Sequence, residues 1–179
     1  GLLVVTSGVL WCSVWLANAL LLSSTHVAPG IDLVFLPAGF RLLIVLVFGV
    51  WGSLGIFLAD PLMFREAFGT GGGGEIMVNA LISGFAPLLT VRAFCRIAGI
   101  ESSLLQLRPI HLPLLALAVS VVTPLLFNLH YLLEGRETPG AFLVNFTAMA
   151  TGDFLGCFLV IGFARIGIAG AQALFPRRP

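Results

Sequence analysis

A single carboxylate, Asp153, stands between Gly152 and Gly156 near the middle of the long apolar run 145–165. Insertion scales put such a group at roughly 2.5–3.5 kcal/mol near a bilayer centre, so it faces protein, water or a partner rather than lipid. Its functional reading is a proton site, a cation site or a ligand contact. Its structural reading is a buried ion pair or hydrogen bond that fixes helix register. The compatible partner is Arg41, close to the start of its own apolar run. Arg165 lies about three turns further along the Asp153 run at 1.5 Å per residue, out of direct reach.

Asn79, Asn128 and Asn145 are the next polar groups inside apolar runs. Amides there form interhelical hydrogen bonds worth about 0.6–2 kcal/mol each. If they converge with Asp153, they make a polar pocket of the kind a sensor or carrier needs. His26, His111 and His130 flank apolar runs and read as interfacial. His111 and His130 stand at opposite ends of one run, so they cannot share a metal. No zinc-protease spacing or nucleophile elbow is present. The run Gly69-Thr-Gly-Gly-Gly-Gly74 lacks the Lys-Ser/Thr of a phosphate-binding loop and reads as a linker. Cys12, Cys95 and Cys157 show no C-x-x-C spacing and read as small buried hydrophobes. No enzyme activity, cofactor, metal or nucleic-acid partner is expected.

The elements that must position these groups are membrane helices. The chain is 59% hydrophobic and 9% charged over 179 residues, where about 25% charged is usual for a soluble domain. Mean hydropathy is +1.09. The fold class expected is an all-α, polytopic bundle of about five spans forming a single membrane domain. The spans fall at 2–22, 39–59, 76–97, 114–133 and 141–164, each near the 20 residues that cross a bilayer. The first lacks the basic flank of a signal peptide and reads as a retained helix. Trp11 and Trp15 share one of its faces and are expected to pack.

Pro37 and Gly39 predict a break before the second span, with 32–38 as a short or partly re-entrant entry. Gly49, Gly52 and Gly55 offer a small-residue contact surface. The stretch 60–75 reads as a polar loop, and 99–113 as a connector with room for a short interfacial helix. Pro124 predicts a kink in the fourth span. Residues 167–174 read as lying along the membrane.

Every basic residue is arginine. With five spans, Arg41, Arg92, Arg96, Arg108, Arg165, Arg177 and Arg178 fall on one side, and Arg65 and Arg136 on the other. The positive-inside rule then predicts an outer N-terminus and a cytoplasmic C-terminus.

Two stretches resemble a known family. Phe35-Leu-Pro-Ala-Gly-Phe-Arg41, running into Trp51-Gly-Ser-Leu-Gly-Ile-Phe-Leu-Ala59, is similar to a segment of the membrane-associated sensor domains of the first MASE class. Gly152-Asp153-Phe-Leu-Gly156 resembles that family's late Gly-Asp-x-x-Gly helix. Pro37, Gly39, Arg41, Gly152, Asp153 and Gly156 are the family-like positions. The resemblance implies a bacterial inner-membrane input module. Such modules are commonly fused to kinases or cyclases, so the expected partner here is a separate membrane or cytoplasmic protein. The stretch is shorter than the usual eight-helix module, and no output domain of its own is expected. Its expected role is a stand-alone sensor or interaction module. The alternatives are a structural accessory subunit of a membrane complex and a small-molecule binding subunit of a transporter.

Overall fold

The computed structural model describes residues 1–21, 26–28, 31–32, 34–68, 72–100 and 109–174. Five helices carry the fold: α1 (Leu2–Leu21), α2 (Leu36–Phe68), α3 (Gly73–Ile97), α4 (His111–Leu133) and α5 (Phe142–Leu174). All five are long and apolar enough to cross a membrane. A small antiparallel hairpin, β1 (His26–Ala28) with β2 (Ile31–Asp32), lies between α1 and α2. The bundle is that of a multi-pass membrane protein, with a bilayer as its solvent.

Helix pairing follows from contacts at the two ends of each pair. Phe94 meets His111 at one end of α3/α4, and Glu75 meets Arg136 at the other. Ser120 faces Cys157 and Asn128 faces Met149, so α4 and α5 are antiparallel too. The ends of α3 and α4 close in Schellman turns: Ile100 N–H donates to Cys95 O, and Arg136 N–H to Tyr131 O. The second turn brings Arg136 back against α3.

Helix α2 is not one rod. Gly49 has φ 55° and ψ −130°, a left-handed break that only glycine takes without strain. The two arms it separates run in opposite directions. In the first arm, 36–48, Phe35 and Gly39 pack against Gly156 and Val160, the partner advancing with the residue. That arm is therefore parallel to α5. In the second arm, 50–68, Phe57 packs tilted against Phe85 and Asp60 faces Ser83, the partner retreating as the residue advances, so this arm is antiparallel to α3. Since α3 is antiparallel to α4, and α4 to α5, the second arm opposes the first. A Cβ on Gly52 would lie 2.7 Å from the Ile44 carbonyl, a contact that only a sharp fold permits.

Residues 36–48 extend about 20 Å at 1.5 Å per residue, short of the ~30 Å hydrocarbon core. The fold of α2 is thus a helical hairpin that enters and leaves from one end of the bundle. This corrects two expectations. The break sits at Gly49, not at Pro37–Gly39: Pro37 is in the first turn of α2, where its missing N–H removes no helical bond. The stretch 60–75 is not a loop, because α2 continues through Asp60 and Pro61 to Phe68, and α3 begins at Gly73.

With α2 doubled back, the start of α1 lies at the end of the bundle opposite Gly73, rather than beside it as five simple crossings require. Arg92, Arg96 and Arg165 share the end where α1 starts. Likewise, 167–174 does not turn aside along the membrane, since α5 runs unbroken to Leu174. The proposed interfacial helix in 99–113 falls largely on 101–108, outside the described residues.

Candidate functional site

Five helices bring polar side chains into one interior layer. Arg41, Asp60 and Asp153 are 2%, 6% and 1% exposed, which is exceptional for ionisable groups. Trp11 from α1, Asn79 and Ser83 from α3, and Ser120 and Thr123 from α4 are buried with them. The layer forms because each of these residues falls on the inward stripe of its helix, between small or apolar neighbours. Ala38 and Leu42 flank Arg41, Ile56 and Ala59 precede Asp60, and Cys157 follows Asp153 by one turn; all are buried.

Arg41 is the centre of the layer. Its guanidinium carbon lies 5.2 Å from the centre of the Trp11 ring and 5.9 Å from that of Phe35. Two aromatic faces thus hold a desolvated cation, each such contact contributing about 0.5–2 kcal/mol. The guanidinium is electrostatically coupled to both Asp60 and Asp153. Asp60 also faces Ser83 and the Trp11 indole. Trp11 Nε1 closes no hydrogen bond of ordinary geometry there.

The expected Arg41–Asp153 clasp is not a closed ion pair. Both carboxylate oxygens of Asp153 lack a hydrogen-bond partner, as do Nε and Nη1 of Arg41. The two side chains share the layer without touching. Among the described residues, one cation therefore faces two carboxylates. In a low-dielectric interior that imbalance asks for a proton or a monovalent cation, since an unpaired buried charge is costly.

The amides divide. Asn79 is wholly buried one turn before Ser83 on α3, and neither its oxygen nor its nitrogen has a partner. Asn128 is used locally: its Nδ2 donates to Pro124 O at 2.8 Å and approaches Met149 Sδ at 3.5 Å. Asn145 lies near the start of α5, where its Nδ2 donates to Glu137 at 2.8 Å. It does not converge with Asp153. Arg165 is exposed towards the far end of α5.

The family-like glycines meet one another. Phe35 N–H donates to Gly152 O at 3.1 Å, and a Cβ on Gly156 would collide with Phe35 O. A Cβ on Gly39 would lie 2.6 Å from Gly156 O. Backbone contact of this kind needs small residues, and it sets Asp153 against the arm that carries Arg41. Pro37 is buried in the same contact region.

His130 is buried beside Tyr131 in the last turn of α4, and His111 packs edge-on against Phe94. The side chain of His26 lies outside the described residues. Cys157 is buried, with Cys12 and Cys95 half-buried.

Asp60, Trp11 and Ser83 belong to the site without having stood out as site residues in the sequence. The available signal was the apolar stretch on both sides of Asp60-Pro61, from Gly52 to Ala59 and again at Leu62-Met63. Reading 60–75 as a polar loop concealed it.

Compared with protein-family models, with curated proteins and with solved structures, the chain matches none.

Proposed function

We propose that this chain is a membrane-embedded input module whose state is set in the Arg41–Asp60–Asp153 layer and read by a separate protein. The observation that carries this reading is the geometry of Arg41. It is buried within electrostatic reach of two carboxylates on different helical segments, supported on aromatic faces and not closed onto Asp153. A cation so placed has two alternative partners. Closure on Asp153 draws the first arm of α2 towards α5; closure on Asp60 draws the two arms together. A proton, a cation or a small polar ligand that satisfies one carboxylate biases the choice, which is what a two-state sensing element requires.

The likeness of Pro37, Gly39, Arg41, Gly152, Asp153 and Gly156 to MASE-class segments supports the same reading, and with it a bacterial inner membrane. The arginine-bearing end with Arg92, Arg96 and Arg165 is then the cytoplasmic one; it carries the start of α1 as well, in place of the outer N-terminus expected from five single crossings, and a partner is met there.

The test is purification of the full chain from its native membrane in mild detergent, with mass spectrometry of co-purifying proteins and small molecules, for wild type and Asp153→Asn. A partner whose recovery changes in a folded Asp153→Asn protein supports the input module. An unchanged, stoichiometric set of membrane subunits in both makes the chain a structural accessory. A retained small molecule with no protein partner makes it a carrier subunit.

A further inference from the structure

A second feature lies away from the charged layer and is independent of it. A groove of about 740 Å³ opens where the elbow of α2 meets the last turns of α3. Its floor is apolar, with Val45 and Phe48 from α2 and Leu88 and Val91 from α3. Its rim carries Arg92 and Arg96, one turn apart on α3, and no carboxylate lines it among the described residues. Val47, also in the lining, is 67% exposed.

The depth pattern is that of an amphiphile. The apolar walls lie along the membrane interior beside the elbow. The two guanidinium groups stand at the α3 terminus, where arginines reach the polar interface. Among the described residues, no acidic neighbour stands in the groove to neutralise either arginine. Basic pockets between membrane helices, placed at headgroup level, suit phosphate headgroups.

We propose that this groove seats an acidic phospholipid from the surrounding bilayer. One acyl chain lies against Val45, Phe48, Leu88 and Val91, and the phosphate is held by Arg92 and Arg96. Arg is suited to this role because its planar fork donates two parallel hydrogen bonds to a phosphate.

The full chain is reconstituted in nanodiscs of equal phosphatidylglycerol and phosphatidylcholine, and the lipids that survive release are counted by native mass spectrometry. Wild type is expected to keep phosphatidylglycerol about fivefold or more over phosphatidylcholine, the scale of one basic side chain acting on an acidic headgroup. Arg92→Gln with Arg96→Gln removes the preference; Arg165→Gln, outside the groove, keeps it. Parity in wild type, or a preference that survives the double substitution, overturns the site. Should the double variant not fold, melting of the wild type in micelles doped with each lipid decides. A higher midpoint with phosphatidylglycerol, lost at high salt, supports the site. Equal midpoints, or the same rise with inorganic phosphate alone, overturn it.

Discussion

The guanidinium of Arg41 stands over the ring of Trp11, 5.2 Å from its centre, while both oxygens of Asp153 remain without a hydrogen-bond partner. A cation buried this completely is expected to close on the nearest carboxylate, and here an aromatic face holds it instead. The arrangement has a thermodynamic consequence. Arg41→Gln removes the positive charge that faces Asp60 and Asp153, and breaking a buried charge set in this way costs about 3–5 kcal/mol. Adding Asp153→Asn lowers the negative charge left behind and restores part of that loss. A coupling of about 0.5–3 kcal/mol between the two sites is expected from unfolding in detergent. Strictly additive losses would show that the two side chains do not sense one another.

Trp11 supplies both a face for Arg41 and an indole near Asp60, and the two contributions separate by substitution. Trp11→Phe keeps a ring under the guanidinium, so its cost is expected near 1–2 kcal/mol. Trp11→Ala also empties a fully buried site and is expected to cost about 3–5 kcal/mol. Equal losses for Phe and Ala, measured by thermal unfolding in one detergent, would assign the whole effect to volume.

The extent to which the sequence announces this arrangement differs between its parts. Helices α1, α3, α4 and α5 were legible because each is an apolar run of spanning length between polar or Gly/Pro boundaries, and hydropathy reports that directly. The burial of Arg41 and Asp153 was legible for the same reason. The fold at Gly49 was not, since glycine is common in membrane helices and Phe48-Gly-Val-Trp51 carries no polar residue to mark a turn. Pro37 looked like the stronger break, but in a first helical turn a proline removes nothing. Asp60 was hidden because 60–75 read as a polar loop, although Pro61 does not end the helix. A proline inside α2 costs one backbone bond to Phe57, and the surrounding packing tolerates that. The separate destinations of Asn79, Asn128 and Asn145 depend on helix rotation, which spacing along the chain does not encode.

Gly156 and Gly162 share one helix and face different surroundings. A methyl group on Gly156 collides with the Phe35 carbonyl, whereas nothing lies within 4 Å of the corresponding position at Gly162. Gly156→Ala must therefore push the first arm of α2 off α5, and an overpacked contact against backbone is expected to cost about 3 kcal/mol or more. Gly162→Ala meets open space and is expected to be neutral or to stabilise by up to ~1 kcal/mol through helix propensity. Melting temperatures of the two single variants compare them directly. Equal effects would mean that the glycine contact does not hold the arm.

The doubling back of α2 also predicts which ends of the helices share a side of the membrane. If α2 crossed once, the start of α1 and the α2–α3 junction would face the same compartment. With the fold at Gly49 they face opposite ones, while the α3–α4 junction joins the start of α1. Single cysteines at Leu2, Gly73, Gly99 and Gly135, in a background with Cys12, Cys95 and Cys157 replaced by serine or alanine, report this with an impermeant maleimide on sealed vesicles of one orientation. Positions 2 and 99 are expected to label together, and 73 and 135 together from the other face. Labelling of 2 with 73 would remove the helical hairpin and restore a single crossing for α2. The same strain resides in Gly49 itself: with φ at 55°, Gly49→Ala is expected to cost about 1 kcal/mol or more. That loss should appear although the position has open space around it, which distinguishes backbone strain from packing as its cause.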